Sequence, residues 1–190
     1  MKISHQIVLG FVLAPLFACS NCGAPALDVA DEPSVPPTVM QAVQLGGMDK
    51  LHKFGDVYLG GQPSEADLAL LKERGVVSVI NMRKAGEMSF DQEATLKGLG
   101  LASFHLGWNG PDELTDALFD SYRELMNDSP QPMLLHCASG NRVGAIWIAW
   151  RVLDQGASVD TAVAEAKMAG MRTPDYEAKA CDYVDRMVKN

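Results

Sequence analysis

The amino-acid sequence predicts an α/β fold with a mostly parallel central sheet of about four to five strands that is flanked by helices. Short apolar runs typical of buried strands alternate with longer segments that have helical periodicity. Glycine and proline residues separate these segments. The chain has 190 residues, of which 47% are hydrophobic and 21% charged, so it can bury one good core. We therefore expect one domain of this class.

The strand and helix signals follow one another along the chain. DVYLGG (56–61) predicts a short strand, SEADLALLKERG (64–75) a helix that Ser64 caps and Gly75 ends, and VVSVINM (76–82) a buried strand. The remaining predicted elements are a helix at 91–98, a strand at 101–107, a helix at 113–127, a strand at 132–137, and helices at 141–155, 158–169 and 174–188. Strands that alternate with helices favour parallel pairing, with helices on both faces of the sheet.

The N-terminal segment has the pattern of a secretory signal. Lys2 provides a basic start, and the apolar run at 7–18 is too short to span a bilayer comfortably. We predict that residues 1–18 are a signal peptide and that the protein is exported, to the periplasm. The stretch LFAC (16–19) resembles the lipobox of bacterial lipoproteins and makes Cys19 the candidate lipidation site. The alternative is ordinary cleavage near APA at 24–26.

Residues 19–42 are rich in proline, alanine and acidic residues and lack apolar periodicity. This composition is typical of an extended, flexible tether rather than of a packed element. We therefore expect the folded domain to span residues 43–190.

Charge and cysteine content exclude several classes of partner and site. The formal net charge is −8, which disfavours nucleic acid and anionic membrane surfaces, so membrane contact is expected through the lipid anchor only. The four cysteines show neither a C-x-x-C pair within the predicted domain nor metal-ligand spacing with histidine. We expect no metal site, no disulfide framework and no organic cofactor.

One cysteine stands at the end of the last predicted strand, just before a glycine-containing turn and a helix. Ligands of parallel sheets bind beyond the carboxyl ends of the strands. There, the backbone amides after Cys137 can surround an oxyanion, and the helix dipole and Arg142 add positive charge. A helix N-terminus and a nearby arginine also stabilise a thiolate, which is the nucleophilic form of cysteine. The predicted anion-binding residues are Ala138, Ser139, Gly140, Asn141 and Arg142.

Three stretches in order carry a resemblance to a known family. HCASGNRVGA (136–145) resembles the H-C-x-x-G-x-x-R-[ST]-G signature of the cysteine-dependent protein tyrosine and dual-specificity phosphatases. GGQPS (60–64) and VINMR (79–83) are similar to the opening of the bacterial beta-lactamase-hydrolase-like phosphatases within that superfamily. The resemblance covers most of residues 50–188. It implies a phosphatase-like fold, Cys137 as nucleophile, a phosphocysteine intermediate, and a phosphorylated small molecule or protein as substrate, with phosphotyrosine as one possibility.

Two departures from the signature keep other functions open. Four residues separate Cys137 from Arg142, where the signature has five, and Val143 replaces the usual serine or threonine. The shorter loop has the length found in rhodaneses, so a sulfurtransferase that uses a Cys137 persulfide is one alternative. A domain that binds an anion without turning it over, a pseudo-phosphatase, is the other.

A phosphatase also needs a general acid for the leaving oxygen. WNGPDEL (108–114) follows the third strand of the alternating pattern and places Asp112 in a loop at the predicted site. By position this loop resembles the acid loop of the phosphatases, and Asp112 is the candidate acid. The alternative is that Asp112 is the N-cap of the next helix.

Three further residues have open assignments. Arg83 either lines the pocket or pairs with Glu87, and the sequence favours the pair. His136 either orients the Cys137 loop or is a buried strand-end residue that a carbonyl satisfies. Cys181 is expected to be a buried, inert thiol, and the alternative is a resolving partner for oxidised Cys137.

Overall fold

The computed structural model describes residues 39–48 and 50–189 of the chain. The predicted signal peptide at 1–18, Cys19 and the tether up to residue 38 lie outside the described residues. Within the described ranges, no helix is both long and apolar enough to cross a membrane. The same residues contain no group of three His, Cys, Asp or Glu side chains that could hold a metal ion.

Strands and helices alternate through most of the described chain. The strands are β1 Gln41–Ala42, β2 His52–Phe54, β3 Val57–Gly60, β4 Ser78–Asn81, β5 Ala102–His105 and β6 Met133–His136. The α-helices are α1 Glu65–Glu73, α2 Gln92–Leu99, α3 Asp116–Asp128, α4 Asn141–Leu153, α5 Val159–Met168 and α6 Pro174–Lys189. Two short 3-10 helices, Ala85–Glu87 and Pro111–Glu113, follow β4 and β5.

The α/β class and the mostly parallel sheet are confirmed, with a different number of strands. Among the described residues the sheet has six strands, in the order β1-β2-β3-β6-β4-β5, rather than four to five. The additional strands β1 and β2 pair antiparallel at one edge and have only two and three residues, too few to produce a recognisable period. β1 lies upstream of the predicted domain start at residue 43, so part of the predicted tether at 19–42 belongs to the sheet.

Helices cover both faces of the sheet because successive strand residues point to opposite sides. In β6, Met133 and Leu135 pack in a core cluster with residues of α3, α4, α5 and α6. Leu134 packs on the other face, in a second cluster with residues of α1 and α2. α4 runs through the larger cluster and is buried along almost its whole length. The last strand and the helix that follows it are therefore fixed on all sides.

The parallel strands end together at one edge of the sheet. His136 of β6 pairs with Gly60 of β3 on one side and with Asn81 of β4 on the other. Asn81 in turn pairs with His105 of β5. The four loops that leave these strands consequently start from the same edge, which the sequence predicts to carry the site.

Candidate active site

Cys137 is the first residue after β6, at this carboxyl edge. Its side chain is buried, with 1% of its surface exposed, and its backbone N–H donates to the carbonyl of Gly60 at 3.4 Å. In the same way, the backbone N–H of Gln62 donates to the carbonyl of Ala138 at 3.2 Å. The GGQP stretch thus runs beside the Cys137 loop, and a side chain at Gly61 would come within 3.1 Å of the Ala138 carbonyl oxygen.

The predicted cradle residues form the turn that leads from β6 into α4. Gly140 has a left-handed backbone with φ of +79° and is the N-cap residue of α4. Asn141 opens the helix, and its side-chain oxygen accepts hydrogen bonds from the backbone N–H groups of Arg172 and Thr173, at 2.8 and 3.2 Å. The α5–α6 loop therefore holds this turn from outside. Ala138 is the exposed residue of the turn, and Ser139 and Asn141 are half-buried.

Arg142 extends from the first turn of α4 back across the site toward the loops that leave β4 and β5. Nη1 donates to the carbonyls of Met82 at 3.2 Å and Trp108 at 2.7 Å, and both guanidinium nitrogens Nη1 and Nη2 contact the Glu87 carboxylate, at 2.9 and 2.5 Å. The guanidinium is consequently held by the loops that leave β4 and β5. Such a bidentate contact fixes both the position of the guanidinium and the orientation of its plane.

Glu87, at the end of the first 3-10 helix, accepts hydrogen bonds from two arginines. The Arg83 guanidinium donates to the Glu87 carboxylate at 3.5 Å and also to its backbone carbonyl, so the predicted Arg83–Glu87 pair is present. Hydrogen bonds from Arg142 lower the pKa of Glu87 to about 2, against the opposing effect of burial. Glu87 is therefore ionised throughout the neutral range. The sequence suggested Glu87 only as a partner of Arg83 and gave no signal for its contact with Arg142.

His136 ends a directed chain of hydrogen bonds. Arg83 can only donate, and its Nη1 donates to Gln62 Oε1 at 2.9 Å. Gln62 Nε2 then donates to Gln92 Oε1 at 3.1 Å, and Gln92 Nε2 to His136 Nε2 at 2.8 Å. Because His136 Nε2 accepts, its proton lies on Nδ1, which faces the Cys137 carbonyl oxygen at 3.4 Å.

Both predictions for His136 agree with these contacts. The side chain is fully buried at the end of β6, and it also contacts the backbone of Cys137. Burial is the main cause that lowers the pKa of His136 to about 3, so its ring is neutral at physiological pH. Gln92, which takes part in two of these three hydrogen bonds, lies on α2 and was not predicted from the sequence. Only its position at the start of that helix could have drawn attention to it.

Asp112 lies in the second 3-10 helix and is exposed. The helix-cap alternative is wrong, because α3 begins after Thr115, whose side chain accepts from the Leu118 N–H at 3.3 Å. The loop before Asp112 is anchored by Gly110, whose N–H donates to the Tyr176 hydroxyl at 3.1 Å. The structure thus places Asp112 on a held loop at the carboxyl edge, with a carboxylate that does not cap α3.

The two cysteines of the described chain, Cys137 and Cys181, are free thiols. Cys181 lies on α6 and is partly rather than fully buried. Burial raises the pKa of the Cys181 thiol, which favours its unreactive protonated form. The inert role and the resolving role of Cys181 both stay predictions.

Comparison with known families identifies the chain. The family model described as DSP-PTPase phosphatase fused to NAD+ Kinase matches residues 37–182, which is more than half of the sequence. The chain belongs to this family. The predicted membership of the protein tyrosine and dual-specificity phosphatase superfamily is therefore confirmed, and with it the class of enzyme, a cysteine-dependent hydrolase of phosphate monoesters. Neither the sulfurtransferase nor the pseudo-phosphatase alternative is favoured.

Solved structures of phosphatases share the fold. TpbA from P. aeruginosa is 24% identical, with a TM-score of 0.62 over 79% of this chain and 91% of that chain. A complex of TpbA with pTyr is 22% identical, with a TM-score of 0.63 over 81% and 98% of the two chains. PTPMT1 in complex with PI(5)P is 18% identical, with a TM-score of 0.61 over 74% of this chain and 98% of that chain. No curated protein sequence matches the chain.

Proposed function

We propose that this phosphatase hydrolyses its substrate through a phosphocysteine on Cys137. The observation that carries the proposal is the turn that leads from Cys137, directly after β6, to Arg142 in the first turn of α4, where Glu87 fixes the Arg142 guanidinium. The Cys137 thiolate attacks phosphorus, a sulfur–phosphorus bond forms, and the ester bond to the leaving oxygen breaks. Water then attacks the phosphocysteine, which releases inorganic phosphate and restores the thiolate.

The turn after Cys137 supplies the electrostatic part of the reaction. The backbone N–H groups of Ala138, Ser139, Gly140 and Asn141 and the N-terminus of α4 are the proposed ligands of the phosphoryl oxygens. Arg142 adds positive charge at the end of this turn, partly offset by the Glu87 carboxylate, where the phosphoryl group is proposed to bind. The Gly140 backbone allows a turn of four residues to close between Cys137 and Arg142.

Asp112 is the proposed general acid and base. In the first step its carboxylic acid gives a proton to the leaving oxygen, and in the second the resulting carboxylate takes a proton from the attacking water. Its exposure and its place in a short helix at the carboxyl edge support this role, because the group must reach a substrate that enters from solvent. The contact of Gly110 with Tyr176 gives the loop a defined starting position.

The proposed substrate is a phosphorylated small molecule or protein. Among proteins of the same fold, TpbA binds pTyr and PTPMT1 binds PI(5)P, which supports a phosphate monoester as the reacting group here. The family description also names an NAD+ kinase as fusion partner, and NADP+, the product of that kinase, carries a phosphate monoester on its ribose. A nucleotide phosphate is therefore included among the substrates to be tested.

The proposed location is the periplasm, with the folded domain tethered to the membrane through lipid on Cys19. The support for this location lies in the sequence alone: the apolar run at 7–18, the LFAC stretch and the Pro-rich segment that follows. Lipid attachment accounts for membrane contact by a protein whose net charge of −8 disfavours anionic surfaces.

A paired assay tests the function. Purified, reduced protein is assayed for phosphate release from 4-nitrophenyl phosphate and for thiocyanate formation from thiosulfate and cyanide, each against Cys137→Ser. We expect phosphate release that the substitution lowers by a factor of about 1,000 or more, because the phosphocysteine cannot form. Thiocyanate formation without phosphate release would contradict the proposal and identify a sulfurtransferase.

A second experiment tests Asp112. Asp112→Asn should slow hydrolysis of an alkyl phosphate by about 100-fold or more, and slow an aryl phosphate less, because an aryl oxide leaves without a proton. Asp128→Asn is the matched control, since Asp128 is an exposed residue at the far end of α3. Equal effects of Asp112→Asn on both substrates would remove Asp112 from the role of general acid.

A further inference from the structure

We infer that the site has a second anion-binding position beside the cradle, formed by Arg172, Lys50 and the accessible side of Ser139. We call this group the rim site. The substrate class that fits it is a phosphate monoester with a second phosphate on the same molecule. The inference rests on the proposed function, because it assumes that the reacting monoester occupies the cradle above Cys137.

Arg172, in the α5–α6 loop, is held against the cradle. Its backbone N–H donates to the side-chain oxygen of Asn141 at 2.8 Å, and its guanidinium Nη2 donates to Ser139 Oγ at 2.9 Å. In a third contact, Nη1 donates to the Gly170 carbonyl at 3.2 Å, so both terminal nitrogens of the guanidinium are held. Each of these acceptors is neutral, so the contacts orient the guanidinium and leave its charge uncompensated.

The environment of Arg172 differs from that of Arg142. The Arg142 guanidinium is buried and shares its charge with Glu87, whereas Arg172 is exposed and forms no ion pair with a carboxylate of the described chain. Glu177 lines the same cavity as Arg172, but its carboxylate pairs with the Lys167 ammonium at 3.1 Å. Arg172 is thus positioned to neutralise an anion that comes from solvent.

Lys50 lines a cavity that also includes Ser139. A cavity of about 250 Å³ is lined by Lys50, Ser139 and Ala138 together with Gly47, Gly61 and Gln62. It opens directly onto the cradle, because Ala138 and Ser139 belong to both. No carboxylate is among these lining residues. Lys50 also has a left-handed backbone with φ of +56°, and it is the one non-glycine residue of the described chain with a positive φ. Such a conformation is costly for lysine, as is typical of residues at binding sites.

Two cations without an ion-pair partner among the described residues lie beside one cradle, although acidic residues outnumber basic ones in this chain, 24 to 16. The cradle with Arg142 already suffices for a single phosphoryl group, since it offers backbone amides, a helix N-terminus and a guanidinium. Additional cations at its rim are explained by a ligand with additional negative charge. A second phosphate meets this requirement, because it can accept the guanidinium N–H groups of Arg172 that remain beside those bonded to Gly170 and Ser139.

Binding to the full chain with Cys137→Ser tests the rim site independently of turnover. Two matched pairs of ligands are compared by calorimetry: adenosine 2′-phosphate with adenosine 2′,5′-bisphosphate, and fructose 6-phosphate with fructose 1,6-bisphosphate. In at least one pair we expect the bisphosphate to bind about tenfold tighter or more, since a charge-assisted contact is added. The pair that shows the advantage distinguishes a nucleotide from a sugar ligand.

Substitutions test whether Arg172 and Lys50 cause the tighter binding of the bisphosphate. Arg172→Gln and Lys50→Gln, introduced together, should reduce the ratio of the two dissociation constants to within about twofold. Lys72→Gln and Arg74→Gln, introduced together, are the control of equal charge change, because both residues are exposed at the end of α1, at the opposite edge of the sheet. Equal binding of mono- and bisphosphate in both pairs overturns the rim site, and so does an advantage that survives in the double variant. Absence of 4-nitrophenyl phosphate hydrolysis by the unsubstituted protein would contradict the phosphatase function instead, and the binding ratios would still decide the rim site.

Discussion

At the scale of single residues, the site depends on how Arg142 is held. Its guanidinium is 7% exposed and meets the Glu87 carboxylate in a bidentate contact across 55 positions of sequence. A buried guanidinium that loses its carboxylate keeps its charge and loses the partner that offsets desolvation. The geometry of the cradle therefore depends on a residue that does not itself touch the proposed substrate.

Glu87→Gln tests this positioning role. The amide preserves the shape of the side chain but accepts only one of the two guanidinium bonds, so kcat/KM for 4-nitrophenyl phosphate should fall about tenfold or more. The loss should appear mainly in kcat, because the proposed role of Arg142 is to stabilise the transition state. Steady-state kinetics measure both constants. Glu124→Gln is the control, since Glu124 is an exposed residue of α3, and an equal loss in that variant would contradict the specific role of Glu87.

The burial of His136 predicts how the free energy of unfolding changes with pH. Its pKa in the folded protein, about 3, lies below the ordinary value of 6.5, so folding favours the neutral ring. Its contribution to stability is complete above pH 6.5 and declines as the pH falls toward 3. Between these values the free energy of unfolding decreases by at most about 1.4 kcal/mol per pH unit from this residue alone.

The unsubstituted protein is compared with the His136→Gln variant, which has no imidazole ring to protonate at this position. Urea unfolding at a series of pH values should show that the unsubstituted protein loses more stability between pH 6.5 and 4 than the variant does. Titration of Glu87, whose pKa is lowered to about 2, affects both proteins alike. Parallel curves would mean that His136 is not buried in its neutral form.

At the scale of elements, the junction between β6 and α4 is stabilised by the α5–α6 loop. A Cβ atom added at Gly140 would stand 1.8 Å from the carbonyl oxygen of Ala169, so the two segments approach as closely as backbones can. The same glycine has the positive φ that the turn requires. The shape of the cradle is thus set by helix packing as well as by its own sequence.

Gly140→Ala should therefore be costly. We expect it to lower the free energy of unfolding by roughly 3 kcal/mol or more, because strain at φ of +79° adds to the collision with Ala169. Gly156→Ala is a matched control, since Gly156 has φ of +68° but no atom within 4 Å of the added Cβ. The control should cost only about 1 to 2 kcal/mol. Chemical denaturation measures both, and equal losses would show that the close approach to Ala169 carries no energetic weight.

At the scale of the whole molecule, the site is assembled from loops that only the folded sheet brings together. The four parallel strands supply one loop each, and the two cores on either face keep the strands in register. A ligand that binds the assembled cradle and not the unfolded chain must stabilise the whole fold. Ligand binding and unfolding are therefore linked.

Inorganic phosphate, the product of the proposed reaction, should raise the melting temperature. At 100 times its dissociation constant the stabilisation is about 2.7 kcal/mol, which corresponds to roughly 5–10 °C for a domain of this size. Differential scanning calorimetry measures the shift, with chloride at the same ionic strength as reference. Arg142→Ala should abolish most of the phosphate-specific part, and an equal shift in that variant would contradict binding in the cradle.

The sequence by itself determined the order of the elements and the contiguous part of the site. The apolar runs located β3 to β6, and the glycine-bounded periodic segments located all six helices of the described chain, because strand and helix periods depend on neighbouring residues. The cradle from Cys137 to Arg142 was also visible, since it is a continuous turn whose glycine and arginine stand at fixed offsets. The very short strands β1 and β2 left no such local signal.

The tertiary structure decided which distant residues complete the site. Glu87 reaches Arg142 across 55 positions, Gln92 reaches His136 across 44, and Arg172 reaches Ser139 across 33. It also decided that Thr115, rather than Asp112, caps α3. These contacts join side chains from separate loops at the carboxyl edge, and a hydrogen bond between them depends on strand register and helix packing. No pattern within one segment encodes such a distance, so only the folded chain determines it.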